Sequence, residues 1–110
     1  SEKRNQGAVQ PEARQTKADY ETRKREQAEA RRREKERKAR QARIAELEAR
    51  IAEHEATIRT LEAQMAVPGF YDNREEAQPV IERHQALMWE VGELMQQWEM
   101  LCEVAAADSA

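Results

Sequence analysis

The chain has 110 residues, of which 37% are charged, 39% are apolar with alanine counted and 5% are aromatic, and it carries only 3 Gly and 3 Pro. That composition excludes an ordinary compact globule, because a small domain buries too little surface to offset the ordering of its backbone unless large apolar side chains are plentiful. The net charge of −3 hides an asymmetry: residues 1–43 hold 15 Lys+Arg against 8 Asp+Glu, a balance of +7, and residues 44–110 hold 4 against 14, a balance of −10. The abundance of Ala, Glu, Arg and Gln points to long helices or a coiled coil. No run approaches the roughly 20 apolar residues that span a bilayer, and the start has no signal-peptide pattern. The chain opens on Ser1 instead of Met, which predicts a piece of a longer, soluble protein. Cys102 is the sole cysteine and cannot form an internal disulfide, in keeping with a reducing, cytoplasmic setting.

Residues 1–15 carry Gly7 and Pro11 and no apolar periodicity, and they are predicted to be a disordered tether. From residue 16 helix formers follow without a break. Acid-then-base pairs four apart recur at Asp19/Arg23, Glu21/Arg25, Glu29/Arg33, Glu34/Lys38 and Glu36/Arg40. Each such pair contributes about 0.2–0.5 kcal/mol, so a solvated, fraying basic helix is expected over residues 16–43.

At Ile44 the pattern changes. Ile44, Leu47, Ile51, His54, Ile58, Leu61 and Met65 alternate at spacings of 3 and 4, the signature of an a/d seam. The same phase run backwards places Arg40, Arg37 and Arg33 on the seam, so the zipper is expected to begin near Ile44. A second seam comprises Val80, His84, Leu87, Val91, Leu94, Trp98, Leu101 and Ala105. It is out of phase with the first, and Pro68-Gly69 lies between them as a breaker. If the chain reverses there, partners have residue numbers of constant sum, and 145 aligns seven layers from Met65/Val80 to Ile44/Leu101. An all-α, two-helix antiparallel coiled-coil hairpin over residues 44–105 is therefore expected, with a turn at about 66–79 and a disordered tail over 106–110. Asp72 and Glu75 have capping-box spacing, which starts a helical turn at about Asn73 and leaves Pro79 either in the first turn of the second helix or kinking it.

The run IAELEARIAEHEATIRTLEAQM, the PGFYD turn at 68–72 with its aromatic pair Phe70-Tyr71, and the Trp98, Glu99 and Leu101 element of QQWEMLCE resemble the C-terminal domain of ABC-F proteins, duplicated ATP-binding cassettes that act on ribosomes. The Uup-like type is the nearest. The resemblance covers residues 44–103, and the basic region matches in composition. It implies a non-catalytic accessory domain of a cytosolic ATPase that binds nucleic acid, DNA or ribosomal RNA, with the remainder of the parent protein as a further partner. His54, His84 and Trp89 depart from the family pattern. Glycines at 7, 69 and 92 alone leave no phosphate-binding loop of the GxxxxGK[ST] kind, so no ATPase activity and no cofactor are expected of this chain.

The candidate nucleic-acid-binding residues are Arg31, Arg32, Arg33, Lys35, Arg37, Lys38, Arg40 and Arg43. They go around the helix, which predicts sequence-indifferent phosphate contact without base readout; the plainer reading is a charged spacer. A competing function is a protein-interaction or dimerisation coiled coil that uses the apolar e/f stripe of the second helix, with Ile81, Met88, Trp89 and Met95 as contacts. The plainer reading there is that these side chains cover the stems of Glu48, Glu55 and Glu62. His54 and His84 lie one heptad apart in register, about 10 Å at ~1.5 Å per residue, too far to share a metal ion. Phe70 and Tyr71 either stack on bases or plug the end of the hairpin.

Overall fold

The computed structural model describes residues 2–110, with side chains from residue 15 onward. Its elements are a helix α1 (Glu2–Met65), a 3-10 turn (Phe70–Asp72) and a helix α2 (Arg74–Ser109). The chain forms two units, Ser1–Lys38 and Ala39–Ala110, and α1 contributes to both. The tether expected over residues 1–15 falls, but for Gln15, on residues whose side chains lie outside this description.

In the first unit every described residue is exposed. Helix there rests on propensity and on local pairs, because the described residues of that unit present no apolar face to bury. Of the five expected pairs, Glu29/Arg33 forms, at 3.8 Å. Arg23 instead donates from Nε to the Asp19 carbonyl oxygen at 3.4 Å, and Glu34 takes Arg37 in place of Lys38.

The second unit is the antiparallel hairpin. Its cross-helix polar contacts join Arg40 to Asp108, Arg43 to Gln97, His54 to Glu90 and Glu62 to His84. As the first number rises the second falls, so α1 and α2 run in opposite directions, and the pairs bracket the expected sum of 145. Every residue of both seams is buried or half-buried. Leu47 is wholly buried, with Ile44, Ile58, Leu61 and Leu94 close behind. Fully burying a side chain of this size contributes about 1.5–3 kcal/mol, so these layers supply most of what holds the arms together. Ala77, also buried, extends the second seam by one step toward the turn.

The turn is shorter than expected. The side-chain Oδ1 of Asn73 accepts from the Glu76 amide at 3.3 Å, and the Asn73 carbonyl takes the Ala77 amide at 3.0 Å. The cap is therefore Asn73, one residue beyond Asp72, which closes the 3-10 turn through its own amide on the Gly69 carbonyl at 3.1 Å. Asparagine caps as well as aspartate, and Asn73/Glu76 repeats the spacing of Asp72/Glu75. With α2 starting at Arg74, Pro79 lies inside the helix beyond its first turn. Gly69 has φ 84°, a left-handed conformation that glycine adopts without penalty. The Phe70 and Tyr71 rings meet edge to face with centroids 4.8 Å apart. At the far end α2 continues to Ser109, so the tail expected from residue 106 is helical. Asp108 is tied to Arg40, and the Ser109 hydroxyl donates to the Ala105 carbonyl at 3.0 Å.

Candidate nucleic-acid interface

Six of the eight candidate cations, Arg31, Arg32, Arg33, Lys35, Arg37 and Lys38, lie in the unit Ser1–Lys38, and all are exposed. At 3.6 residues per turn they spread around α1 and form no single stripe. Two are engaged locally. Arg37 forks onto Glu34, with Nε donating to Oε2 at 2.9 Å and Nη2 to Oε1 at 2.7 Å, the bidentate geometry that a guanidinium and a carboxylate share. That hydrogen bond holds the Glu34 carboxyl below its ordinary range and raises the Arg37 guanidinium above its own. Arg33 sits 3.8 Å from Glu29. Lys38 acts on Glu34 through its charge alone, and Arg31, Arg32 and Lys35 form no ion pair among the described residues, so their charge faces solvent.

Arg40 and Arg43 belong to the hairpin unit. Arg40 occupies the seam position that the heptad phase assigns it. Its side chain is 13% exposed, its Nη2 contacts Asp108 Oδ2, and its Nε is buried without a hydrogen-bond partner. Arg43 Nη2 donates to Gln97 Oε1 at 3.1 Å, and its Nη1 lies 3.1 Å from Glu46 Oε2. Periodicity alone flags Arg40 as a seam residue; the Arg43–Gln97 bond depends on side-chain reach across the hairpin and has no signal in spacing.

The histidines point to separate carboxylates. His54 Nε2 lies 3.2 Å from Glu90 Oε2, and His84 Nε2 lies 3.6 Å from Glu62 Oε1. Both nitrogens are buried and neither pair is aligned as a hydrogen bond, so the contacts are close approaches and not bonds. Among the described residues no group of three or more His, Cys, Asp or Glu could hold a metal ion.

On the e/f stripe of α2, Ile81 is half-buried whereas Met88, Trp89 and Met95 are exposed, Trp89 to 69%. Met95, Trp98, Ile51 and Ala52 line a hollow of about 210 Å³ between Glu48 and Glu55. The glutamate stems therefore flank this apolar surface and leave much of it open. Gly92 lies within the same stretch, and helical glycine costs about 0.8–1.0 kcal/mol relative to alanine. At the hairpin tip Phe70 is half-buried and Tyr71 is exposed, so the two rings divide the plugging and solvent-facing positions between them.

Among the described residues no helix is long and apolar enough to cross a membrane. Compared with known proteins, residues 35–103 match the family model described as ABC transporter C-terminal domain. The match starts nine residues before the first seam position, within the basic run. No curated protein and no solved structure matches the chain.

Proposed function

The chain belongs to the ABC transporter C-terminal domain family, and from that premise we propose that it is the nucleic-acid-holding appendage of a cytoplasmic ABC-F ATPase that acts on ribosomes. The chain itself is not an enzyme: it matches a C-terminal domain family, and the phosphate-binding loop is absent from its sequence. One observation carries the reading. Arg31, Arg32 and Lys35 are exposed on α1 and have no carboxylate partner among the described residues, so their charge is available to replace condensed counterions on a polyanion.

The chemistry is electrostatic. Each phosphate neutralised releases counterions, and binding weakens with salt at a log-log slope of about −0.9 per duplex phosphate contacted. Cations spread around a helix contact backbone from any side and read no base edges, so affinity follows charge density more than sequence. The hairpin orders residues 44–65 of α1 against α2 through its seam layers.

Fluorescence anisotropy with duplex DNA and with a structured ribosomal RNA fragment, titrated across salt, tests the proposal. Binding at low salt that weakens steeply with salt, and that falls when Arg31, Arg32 and Lys35 are replaced together by Gln, supports it. Absence of binding at low salt, or binding that the triple variant leaves intact, removes it.

A further inference from the structure

Gly92 stands in the middle of α2, and a Cβ added there would meet nothing within 4 Å. Its φ is not positive, since Gly69 holds the sole positive φ among the described residues. Neither packing within the hairpin nor backbone conformation therefore calls for glycine, although a helix interior is where glycine is least favourable among ordinary residues. What surrounds the position is apolar and open. Met88 lies one turn before it, Trp89 three residues before and Met95 three residues after, which places all of them on the turns that adjoin Gly92. They are exposed to 53%, 69% and 42% respectively. Solvent-facing apolar side chains gathered around a glycine form a notch into which another backbone can come close.

The border of this notch is acidic. Glu48 and Glu55 of α1 flank the hollow that Met95 helps to line, and on α2 Glu99 shares the face of Gly92 and Glu93 lies one turn beyond Trp89. The unit Ala39–Ala110 as a whole carries six Lys+Arg against fourteen Asp+Glu, a balance of −8. A second copy docking through the same face would set these glutamates against one another, which opposes self-association. A helix with an apolar stripe between rows of Lys and Arg meets both the apolar centre and the acidic border. Methionine suits such a surface, because its unbranched, polarisable side chain adapts to the shape of an incoming helix.

We propose that the Gly92 notch, framed by Met88, Trp89 and Met95, is the docking site for a basic amphipathic helix of a partner protein. The partner lays its apolar stripe over Trp89 and the methionines, directs its cations to the glutamates and approaches the α2 backbone most closely at Gly92. This proposal uses none of the candidate cations of α1 and does not rest on nucleic-acid binding.

The test uses the full chain and two labelled synthetic peptides, an amphipathic Leu/Lys helix and its Leu/Glu counterpart, with anisotropy of the label as the readout. The Leu/Lys peptide binds and the Leu/Glu peptide does not. Gly92→Ala weakens Leu/Lys binding about tenfold, while it raises the folding equilibrium constant of the hairpin about fourfold. This opposite movement is one that a purely structural glycine would not produce. Trp89→Gln weakens binding without loss of helicity. Leu/Lys binding that neither variant changes reduces the contact to nonspecific attraction and overturns the proposal, as does an absence of binding. A chain that sediments as a dimer, and as a monomer after Trp89→Gln, assigns the face to a second copy and overturns it equally.

Discussion

Arg40 of α1 and Asp108 of α2 form an ion pair across the open end of the hairpin, with the Arg40 side chain 13% and the Asp108 side chain 58% exposed. The guanidinium thus takes a seam place that an apolar residue or a histidine holds in the other layers, with Ala105 opposite in the register of 145. An ion pair in such a position gains little over a well-packed apolar pair, because desolvation offsets most of the attraction, yet removal of one partner leaves the other uncompensated. Asp108→Asn is expected to lower the stability of the hairpin modestly, by about 0.5–1 kcal/mol, since Asp108 is largely solvated. Arg40→Met is expected to match or exceed wild type. Chemical denaturation followed by circular dichroism checks the order, and an Arg40→Met chain less stable than Asp108→Asn contradicts it.

The same contact divides the candidate cations. On duplex DNA, Arg31→Gln, Arg32→Gln and Lys35→Gln should each reduce the magnitude of the salt slope by about 0.9. Arg40→Gln should leave it where it was, because that guanidinium is largely buried and already paired. A slope change for Arg40→Gln as large as for Arg31→Gln would show that Asp108 yields Arg40 to phosphate.

Leu47 has no exposed surface, and Leu47→Ala is expected to cost about 2–5 kcal/mol, the transfer of the lost atoms plus the cavity left behind. Val104, nearly half exposed on α2, should tolerate Ala within about 0.5 kcal/mol. Urea midpoints at unchanged slope measure both, and comparable losses at the two sites would place the seam elsewhere.

Two glycines should respond in opposite directions. Gly69 is left-handed at φ 84°, and a Cβ would also come within 3.2 Å of Asp72 Oδ2; Gly69→Ala is expected to destabilise the turn by about 1–2 kcal/mol. Gly92→Ala is expected to stabilise by about 0.8–1.0 kcal/mol. Thermal melts of the two variants should therefore fall on either side of wild type.

Glu34 titrates below the ordinary carboxylate range because Arg37 is hydrogen-bonded to its ionised form. A depressed carboxyl contributes helix stability that is present above its unfolded pKa and is lost as pH falls through the folded value. Carboxylate carbon shifts of Glu34 should therefore show a midpoint that moves up in Arg37→Gln. An unmoved midpoint would mean that the fork between Glu34 and Arg37 does not persist in solution.

The hairpin is largely legible in the amino-acid sequence. Spacings of 3 and 4 place Ile44 through Met65 on one face and Val80 through Ala105 on another, the phase break at Pro68-Gly69 argues against one continuous rod, and a constant sum of 145 aligns the layers once the chain reverses. These follow from helical geometry and the burial of apolar surface alone, which act on every sequence in the same way. Legibility stopped where one of several equivalent local partners had to be chosen. Asp72 and Asn73 both precede a glutamate by three residues, and the cap fell to Asn73 because the turn consumed Asp72. Glu34 has basic residues at both +3 and +4, and took Arg37, whose fork matches a carboxylate where Lys38 offers a single point charge. Arg40 has Glu36 one turn away, and took Asp108 because antiparallel folding brings the end of α2 beside it. Burial and its register are written in the spacing of the apolar residues, and the pairs of the first unit are local to α1; the engagement of Arg40 with Asp108 and of Arg43 with Gln97 came only with the fold, because distances across two helices are not encoded by spacing within one.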